Sequence, residues 1–255
     1  MKKKLLYITL SVFFTYVVHS QIKTIDYKDG TQLLSGVSMS PQKPLKNNPG
    51  ILILPAWMGV DDHAKDSASR LAALGYYTFV ADIYGVNKRP SNFKEAGQTA
   101  SYYKNNILEY QRRIQLALDQ LVSQGANPDE IVVIGYCFGG TGAIEAARSN
   151  MKVKGIVSFH GGLGRDENRT IDFMNPKVLI LHGADDPYVP ETEVKSFQNE
   201  MRSAKADWQM IYYANSVHSF TDKNAGTDNS KGAAYNEKAE KRSWIAMLDF
   251  LKEVL

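Results

Sequence analysis

Cys137 is the one cysteine of the chain, and its surroundings are those of a nucleophile. The apolar run Ile131-Val132-Val133-Ile134 leads directly into Gly135-Tyr136-Cys137-Phe138-Gly139-Gly140, and a helical pattern begins near Thr141-Gly142-Ala143. This is Gly-x-Cys-x-Gly-Gly at a strand-to-helix junction. So sharp a turn forces strained dihedrals on its central residue and crowds it against residues two positions away. Glycine at 135 and 139 removes the side chains that would clash. The turn thrusts the sulfur out at the sheet edge and sets it at a helix N-terminus, where partial positive charge favours the thiolate. That effect is about 0.3–1 kcal/mol when exposed, so a base has to do the rest. A free cysteine is more often a buried, inert, small apolar residue, but the glycine spacing and the strand-turn-helix context argue against that here.

An elbow nucleophile is followed along the chain by an acid and then a histidine, each after a later strand. The run Lys177–His182 reads as a strand and leads into Ala184-Asp185-Asp186-Pro187-Tyr188-Val189-Pro190. Pro187 biases the residue before it towards extended dihedrals, which pins Asp186 in its loop. Asp185 is the competing acid, and either aspartate would also serve as a turn or cap residue before the next helix. The base falls in Ala214-Asn215-Ser216-Val217-His218-Ser219-Phe220, after the strand Trp208–Tyr213. The His218 imidazole would take the proton of Cys137 while Asp186 fixes its tautomer and orientation. His63, His160 and His182 come before the acid. His182 reads as a strand-end residue, His160 as a possible pocket lining, and His63 as a helix cap or cleft residue. Scattered in this way, the histidines give no metal-ligand spacing, and no metal site is expected.

Acyl transfer also needs N–H groups that meet the developing oxyanion. One is the backbone N–H of Phe138, the residue after the nucleophile. The other is expected in Pro55-Ala56-Trp57-Met58-Gly59, the loop after Ile51–Leu54, with the N–H of Trp57 as the candidate. Aromatic side chains for the pocket wall are Trp57, Tyr84, Tyr136, Phe138 and Tyr188.

The elements that must hold these groups alternate. Ile22–Tyr27 and Leu33–Met39 flank Asp29-Gly30 and read as a hairpin. Strands are then expected over Ile51–Leu54, Tyr76–Ala81, Glu130–Gly135, Val153–Phe159, Lys177–His182 and Trp208–Tyr213. Helices are expected over Asp62–Leu74, Ser101–Gln124, Phe138–Ser149, Glu191–Ala204 and Lys231–Glu253. That alternation implies an α/β fold, a mostly parallel central sheet with helices on both faces. Active groups in such sheets sit at the carboxyl ends of the strands. No Gly/Ser- or Pro-rich linker interrupts residues 21–255, which read as a single domain.

Composition agrees with an ordinary globular protein. Over 255 residues it is 44% hydrophobic and 22% charged, which excludes a disordered, collagen-like or coiled-coil chain. Residues 1–20, MKKKLLYITLSVFFTYVVHS, carry three lysines, an apolar run from Leu5 to Val18, and small residues before Gln21. This is the layout of a cleaved secretory signal. The apolar run is shorter than the roughly 20 residues needed to span a bilayer, so no stable membrane anchor is expected after cleavage. Export to a bacterial periplasm or beyond follows. Without Lys2, Lys3 and Lys4 the formal charge of +3 vanishes, and nothing suggests a nucleic-acid partner. Gly161-Gly162-Leu163-Gly164 lacks the spacing of a nucleotide-binding loop, and no cofactor is expected.

Taken together, Gly-Tyr-Cys-Phe-Gly-Gly (135–140), Asp82-Ile83-Tyr84-Gly85, Asp186-Pro187-Tyr188-Val189-Pro190, His218-Ser219-Phe220 and the tail from Tyr235 to Trp244 resemble the dienelactone hydrolase family of the α/β-hydrolase fold. The resemblance spans about residues 45–255. It implies a Cys-Asp-His triad at Cys137, Asp186 and His218, with oxyanion donors at Trp57 and Phe138. Two features of the family differ here. Ala56 stands where the type enzyme has a glutamate, and Asp222 stands where it has an arginine for the substrate carboxylate. Lys88 and Arg89 lie near the family's other arginine position without coinciding with it, which makes Arg89 a candidate pocket residue. The expected activity is hydrolysis of a small-molecule ester or lactone through a thioacyl-enzyme. The alternatives are a ligand-binding protein on a hydrolase scaffold, and a thioesterase or peptidase using the same triad.

Overall fold

Strand and helix patterns assemble into one eight-stranded sheet in the computed structural model, which describes residues 22–255. The expected leader lies outside the described residues. β1 (Ile22–Asp29) and β2 (Gln32–Met39) form the hairpin, turning at Gly30 with a φ of 57°. The remaining strands are β3 (Gly50–Leu54), β4 (Tyr77–Val80), β5 (Ile131–Tyr136), β6 (Gly155–Phe159), β7 (Lys177–Gly183) and β8 (Trp208–Tyr213). Their spatial order is β1-β2-β4-β3-β5-β6-β7-β8. The six from β4 to β8 run parallel, and the hairpin joins antiparallel to β4. The sheet is therefore mostly parallel, with helices on both faces, and the fold is that of an α/β-hydrolase.

Why the middle strands read as unbroken apolar runs is plain from their burial. Every residue of β3, β5 and β6 is buried, as helices on both faces require. Within β5, Ile131 and Val133 join one core, while Val132, Ile134 and Tyr136 join the other, which is the two-residue period of a strand. The first core packs beneath α2 (Phe93–Asn105), α3 (Ile107–Ser123), α4 (Phe138–Arg148) and α5 (Glu191–Ser203). The second packs beneath α1 (Asp62–Ala73) and α6 (Glu237–Val254).

Two helices differ from expectation. The single helix expected over Ser101–Gln124 is two, broken at Asn106, whose φ of −114° and ψ of 60° are not helical. The first of the pair begins well upstream, where the Asn92 side chain accepts the Glu95 N–H and the Glu95 carboxylate accepts the Ser91 N–H. Reciprocal caps of this kind satisfy N–H groups that a helix start leaves unpaired. The last helix starts at Glu237 rather than Lys231, because Gly232 adopts a left-handed φ of 78° and Asn236 caps the helix.

Register matters most for the site. Leu54 lies opposite Gly135, Tyr136 opposite Phe159, and Phe159 opposite Leu181. The carboxyl ends of β3, β5, β6 and β7 thus finish level, and the loops that leave them meet over one stretch of the sheet edge.

Candidate active site

Cys137 leaves β5 with a φ of 53° and a ψ of −114°, and Phe138 begins α4. Only unusual packing tolerates such a backbone in a residue with a side chain, at about 1–3 kcal/mol. The glycines on either side show how tight that packing is. A Cβ on Gly135 would stand 1.9 Å from the Gly139 carbonyl oxygen, and one on Gly139 would stand 2.1 Å from that of Leu54. Phe138 is anchored from below: its ring stacks on Tyr110 at 4.6 Å, and the Tyr110 hydroxyl donates to its carbonyl at 2.9 Å. Burying a ring of this size is worth roughly 1.5–3 kcal/mol.

The base arrives from the far edge of the sheet. Beyond β8 the chain forms a short bridge in which the His218 N–H donates to Gly232 O at 3.2 Å and the Ala234 N–H donates to His218 O at 3.0 Å. Fixed in this way, His218 Nε2 lies 3.0 Å from Cys137 Sγ, and Nδ1 lies 2.8 Å from Asp186 Oδ2. The other oxygen of Asp186 accepts the Tyr188 N–H at 2.9 Å. Asp186 is buried, whereas Asp185 is exposed, and of the two adjacent aspartates it is Asp186 that meets the imidazole.

Electrostatics turn these contacts into an ion pair. Burial pushes the Cys137 thiol up, but the His218 charge and hydrogen bond, the Phe138 N–H and the Lys104 charge outweigh it, leaving the thiol below its usual range. Burial alone would lower His218. The facing sulfur and Asp186 push it up instead, to about 10. Thiolate and imidazolium are therefore the favoured forms together.

The cavity above the sulfur has a volume of about 390 Å³, and Trp57, Lys104, Phe138, Tyr188 and His218 line it with Cys137. The Phe138 N–H faces the sulfur. Among the described residues the Trp57 N–H meets no protein acceptor, while the Trp57 carbonyl takes the Tyr84 hydroxyl at 3.0 Å. A second, polar cavity of about 550 Å³ shares Lys104, Gly162 and Tyr188 with the first. Among the described residues no group of three histidine, cysteine or carboxylate side chains is arranged to hold a metal ion.

Three expected pocket residues lie elsewhere. Tyr84 is buried behind the cavity wall, where its hydroxyl holds the loop that carries Trp57. Tyr136 alternates to the opposite face of the sheet, stacks on Phe159 and pairs its hydroxyl with Ser67. Arg89 is engaged by the buried Asp82 carboxylate at 2.8 Å and by Ser35 O. Of the remaining histidines, His160 is buried against the Cys137 backbone and His182 is buried at the end of β7, while His63 packs edge-on to the Tyr136 ring. Lys104 and Ala100 line the cavity from α2 without being expected there: Lys104 falls inside the helix expected over Ser101–Gln124, which gives no reason to set it at the site, and Ala100 precedes that helix, near a helix start that the expected bounds leave out. Its signature was present as Asn92-Phe93-Lys94-Glu95, a cap residue with glutamate three positions on.

The dienelactone hydrolase family matches residues 34–255. The chain belongs to that family. With it the chain is a carboxylic-ester hydrolase of the α/β-hydrolase fold. The dienelactone hydrolase-like promiscuous phosphotriesterase P91, from metagenomic libraries, is 36% identical with a TM-score of 0.85, covering 93% of this chain and 99% of that one. The solved protein m3DLH is 33% identical with a TM-score of 0.87, over 93% of this chain and all of the other. A Yersinia pestis protein provisionally named carboxymethylenebutenolidase is 25% identical over 257 residues, 94% of this chain and 90% of its own. Asp222, beyond His218, caps its own turn by accepting the Asn224 N–H at 2.8 Å.

Proposed function

We propose that this dienelactone hydrolase family member hydrolyses small-molecule esters or lactones with Cys137 as nucleophile, His218 as base and acid, and Asp186 as the group that orients the imidazole. The observation that carries this is the unbroken chain of contacts from carboxylate to imidazole to sulfur, 2.8 and 3.0 Å long, opening into a largely apolar cavity. The thiolate attacks the substrate carbonyl, a C–S bond forms, and the oxyanion is held by the N–H groups of Phe138 and Trp57. Collapse breaks the C–O bond, and the imidazolium gives its proton to the departing alkoxide. Water then loses a proton to His218 and attacks the thioacyl carbon. The C–S bond breaks and the carboxylic acid leaves. With Ala56 beside Trp57, no carboxylate from that position competes with Asp186 for the imidazole, and the thiolate depends on His218 and the helix terminus.

The test is turnover of short-chain aryl esters with and without Cys137→Ala, with intact-mass detection of an acylated Cys137. A phosphotriester belongs in the same panel, since the 36%-identical relative P91 is named for that activity. Turnover that survives loss of the sulfur would sink the assignment. We further propose export after removal of residues 1–20. Protein recovered outside the cytoplasm with Gln21 as its first residue supports it, and an intact leader refutes it.

A further inference from the structure

His160 has no part in the reaction as written, yet it is buried directly beneath the nucleophile. It follows Phe159 at the end of β6 with a φ of 41°, a left-handed backbone uncommon for a residue with a side chain. Its Nδ1 lies 3.2 Å from the Cys137 amide nitrogen and its Nε2 lies 2.8 Å from Thr221 Oγ1. An amide nitrogen only donates, so Nδ1 must present a lone pair. The ring proton then sits on Nε2 and goes to the threonine hydroxyl, which makes the ring neutral and fixes one tautomer. The Cys137 N–H is shared, since the Phe159 carbonyl also accepts it at 3.0 Å. Two acceptors on one N–H restrain the orientation of that peptide more closely than one, at a residue whose φ of 53° is itself left-handed.

We propose that His160 is a positioning residue. As a neutral imidazole braced by Thr221, it accepts the Cys137 N–H and holds the elbow at the angle that keeps the sulfur on His218. The groups around the ring fit this role. His63 from α1, Tyr136 and Cys137 at the end of β5, His182 on β7 and His218 beyond β8 surround it. Burial, then the His218 and His63 charges, hold it well below the usual histidine range. Protonation would turn Nδ1 into a donor facing a donor and break the brace.

The inference rests on Cys137 being the nucleophile, so the readouts include one that needs no substrate. Four variants, His160→Gly, His160→Asn, Thr221→Val and Thr221→Ser, are compared for kcat and KM on an aryl ester and for the pH dependence of Cys137 alkylation by iodoacetamide. Gly and Asn both accept a positive φ, but only Asn places an oxygen where Nδ1 stood. His160→Gly is expected to lower kcat roughly tenfold at unchanged KM, the loss of one buried hydrogen bond. It should also move the rise in alkylation to higher pH. His160→Asn should recover most of both. Thr221→Val, close to isosteric, should act in the same direction as His160→Gly, and Thr221→Ser should not. Equal losses in the Gly and Asn variants, or equal behaviour of Val and Ser, would overturn the proposal. If His160→Gly does not fold, the Thr221 pair decides alone. Should the wild type turn over no ester, the functional proposal fails, while the alkylation profiles still judge His160.

Discussion

On one side of the cleft, Cys137, Phe138 and His160 sit at the ends of strands in which every residue is buried, and backbone contacts fix each of them. On the other, Phe93 and Tyr188 are 72% and 59% exposed, and Lys104 stands on the outer face of a helix. The floor is set by atoms no substitution can vary freely: two glycines against carbonyl oxygens, a strained peptide, a stacked ring. The wall is side chains on a scaffold that tolerates change. On the proposed mechanism the chemistry belongs to the first, which leaves the second to shape what the cavity accepts. The contrast explains how Ala56 and Asp222 can depart from the family's pattern while the sulfur, imidazole and carboxylate stay in contact.

The largest expected effect is on the floor. Cys137→Ala should lower kcat by about 10⁴–10⁶-fold, the scale on which linked catalytic groups fail when one is removed. Phe93→Ala, which takes away only the ring stacked on Trp57 at 5.7 Å, should stay within a few-fold. Steady-state kinetics on one aryl ester compares them, and a Phe93 loss of similar size would erase the distinction between floor and wall.

Next comes the residue that ties the two regions together. Arg148, at the end of α4, is fully buried between Glu145 and Glu200 and donates to the carbonyls of Leu163 and Gly164 beneath the second cavity. Arg148→Met takes the buried arginine from both carboxylates and leaves each with only a partly exposed one, Arg169 on Glu145 and Arg165 on Glu200, at a cost of about 3 kcal/mol, the low end for breaking a buried pair. The thermal midpoint should fall by roughly 10 °C. Arg165→Ala removes a partly exposed partner of Glu200 and should shift it far less. Calorimetry on both variants measures whether the joint is as stiff as the floor.

A smaller effect separates the regions by pH. The thiol lies below its usual range and His218 is raised to about 10, so the ion pair exists between those limits. Falling pH protonates the thiolate, and kcat/KM should drop about tenfold per unit on that limb. Rising pH removes the imidazolium proton near 10, with loss of the acid that the leaving alkoxide needs. Asp186→Asn removes one of the causes that raise His218, so the alkaline limb should move to lower pH. Tyr188→Phe on the wall should leave both limbs in place. A pH–rate profile of each variant reads this directly.

How much of this was legible in the sequence divides along the same line. Gly135, Cys137 and Gly139 announce themselves because a kinked backbone permits few residue types. Asp186 and His218 follow from chain order, and the strands from their apolar runs. Tyr84 and Tyr136 are pocket candidates by type alone, and Arg89 by its nearness to the family's arginine position. Which face Tyr136 takes depends on strand phase relative to the elbow, and Arg89 was claimed by Asp82 across a tertiary contact that no local pattern shows. The role of His160 was out of reach, since it depends on the register that sets Phe159 opposite Tyr136. Lys104 lies inside the helix expected over Ser101–Gln124, but no local pattern shows that this helix breaks at Asn106 or that Lys104 reaches the cavity over Cys137.

Lys104 gives the finest test. Among the described residues it has no carboxylate within ion-pair distance, and its charge is one of the influences that hold the Cys137 thiol down, behind His218 and the Phe138 N–H. It is exposed, so water and salt weaken its reach, and contacts of that kind are worth a fraction of those inside the protein. Lys104→Ala should therefore reduce alkylation of Cys137 by iodoacetamide no more than about fivefold on the acid limb. On the plateau, where the sulfur is ionised in either case, it should have no effect. The difference should shrink further as salt is raised. A loss that persists at high salt and on the plateau would mean that Lys104 orders the elbow itself, and the wall would then be part of the floor.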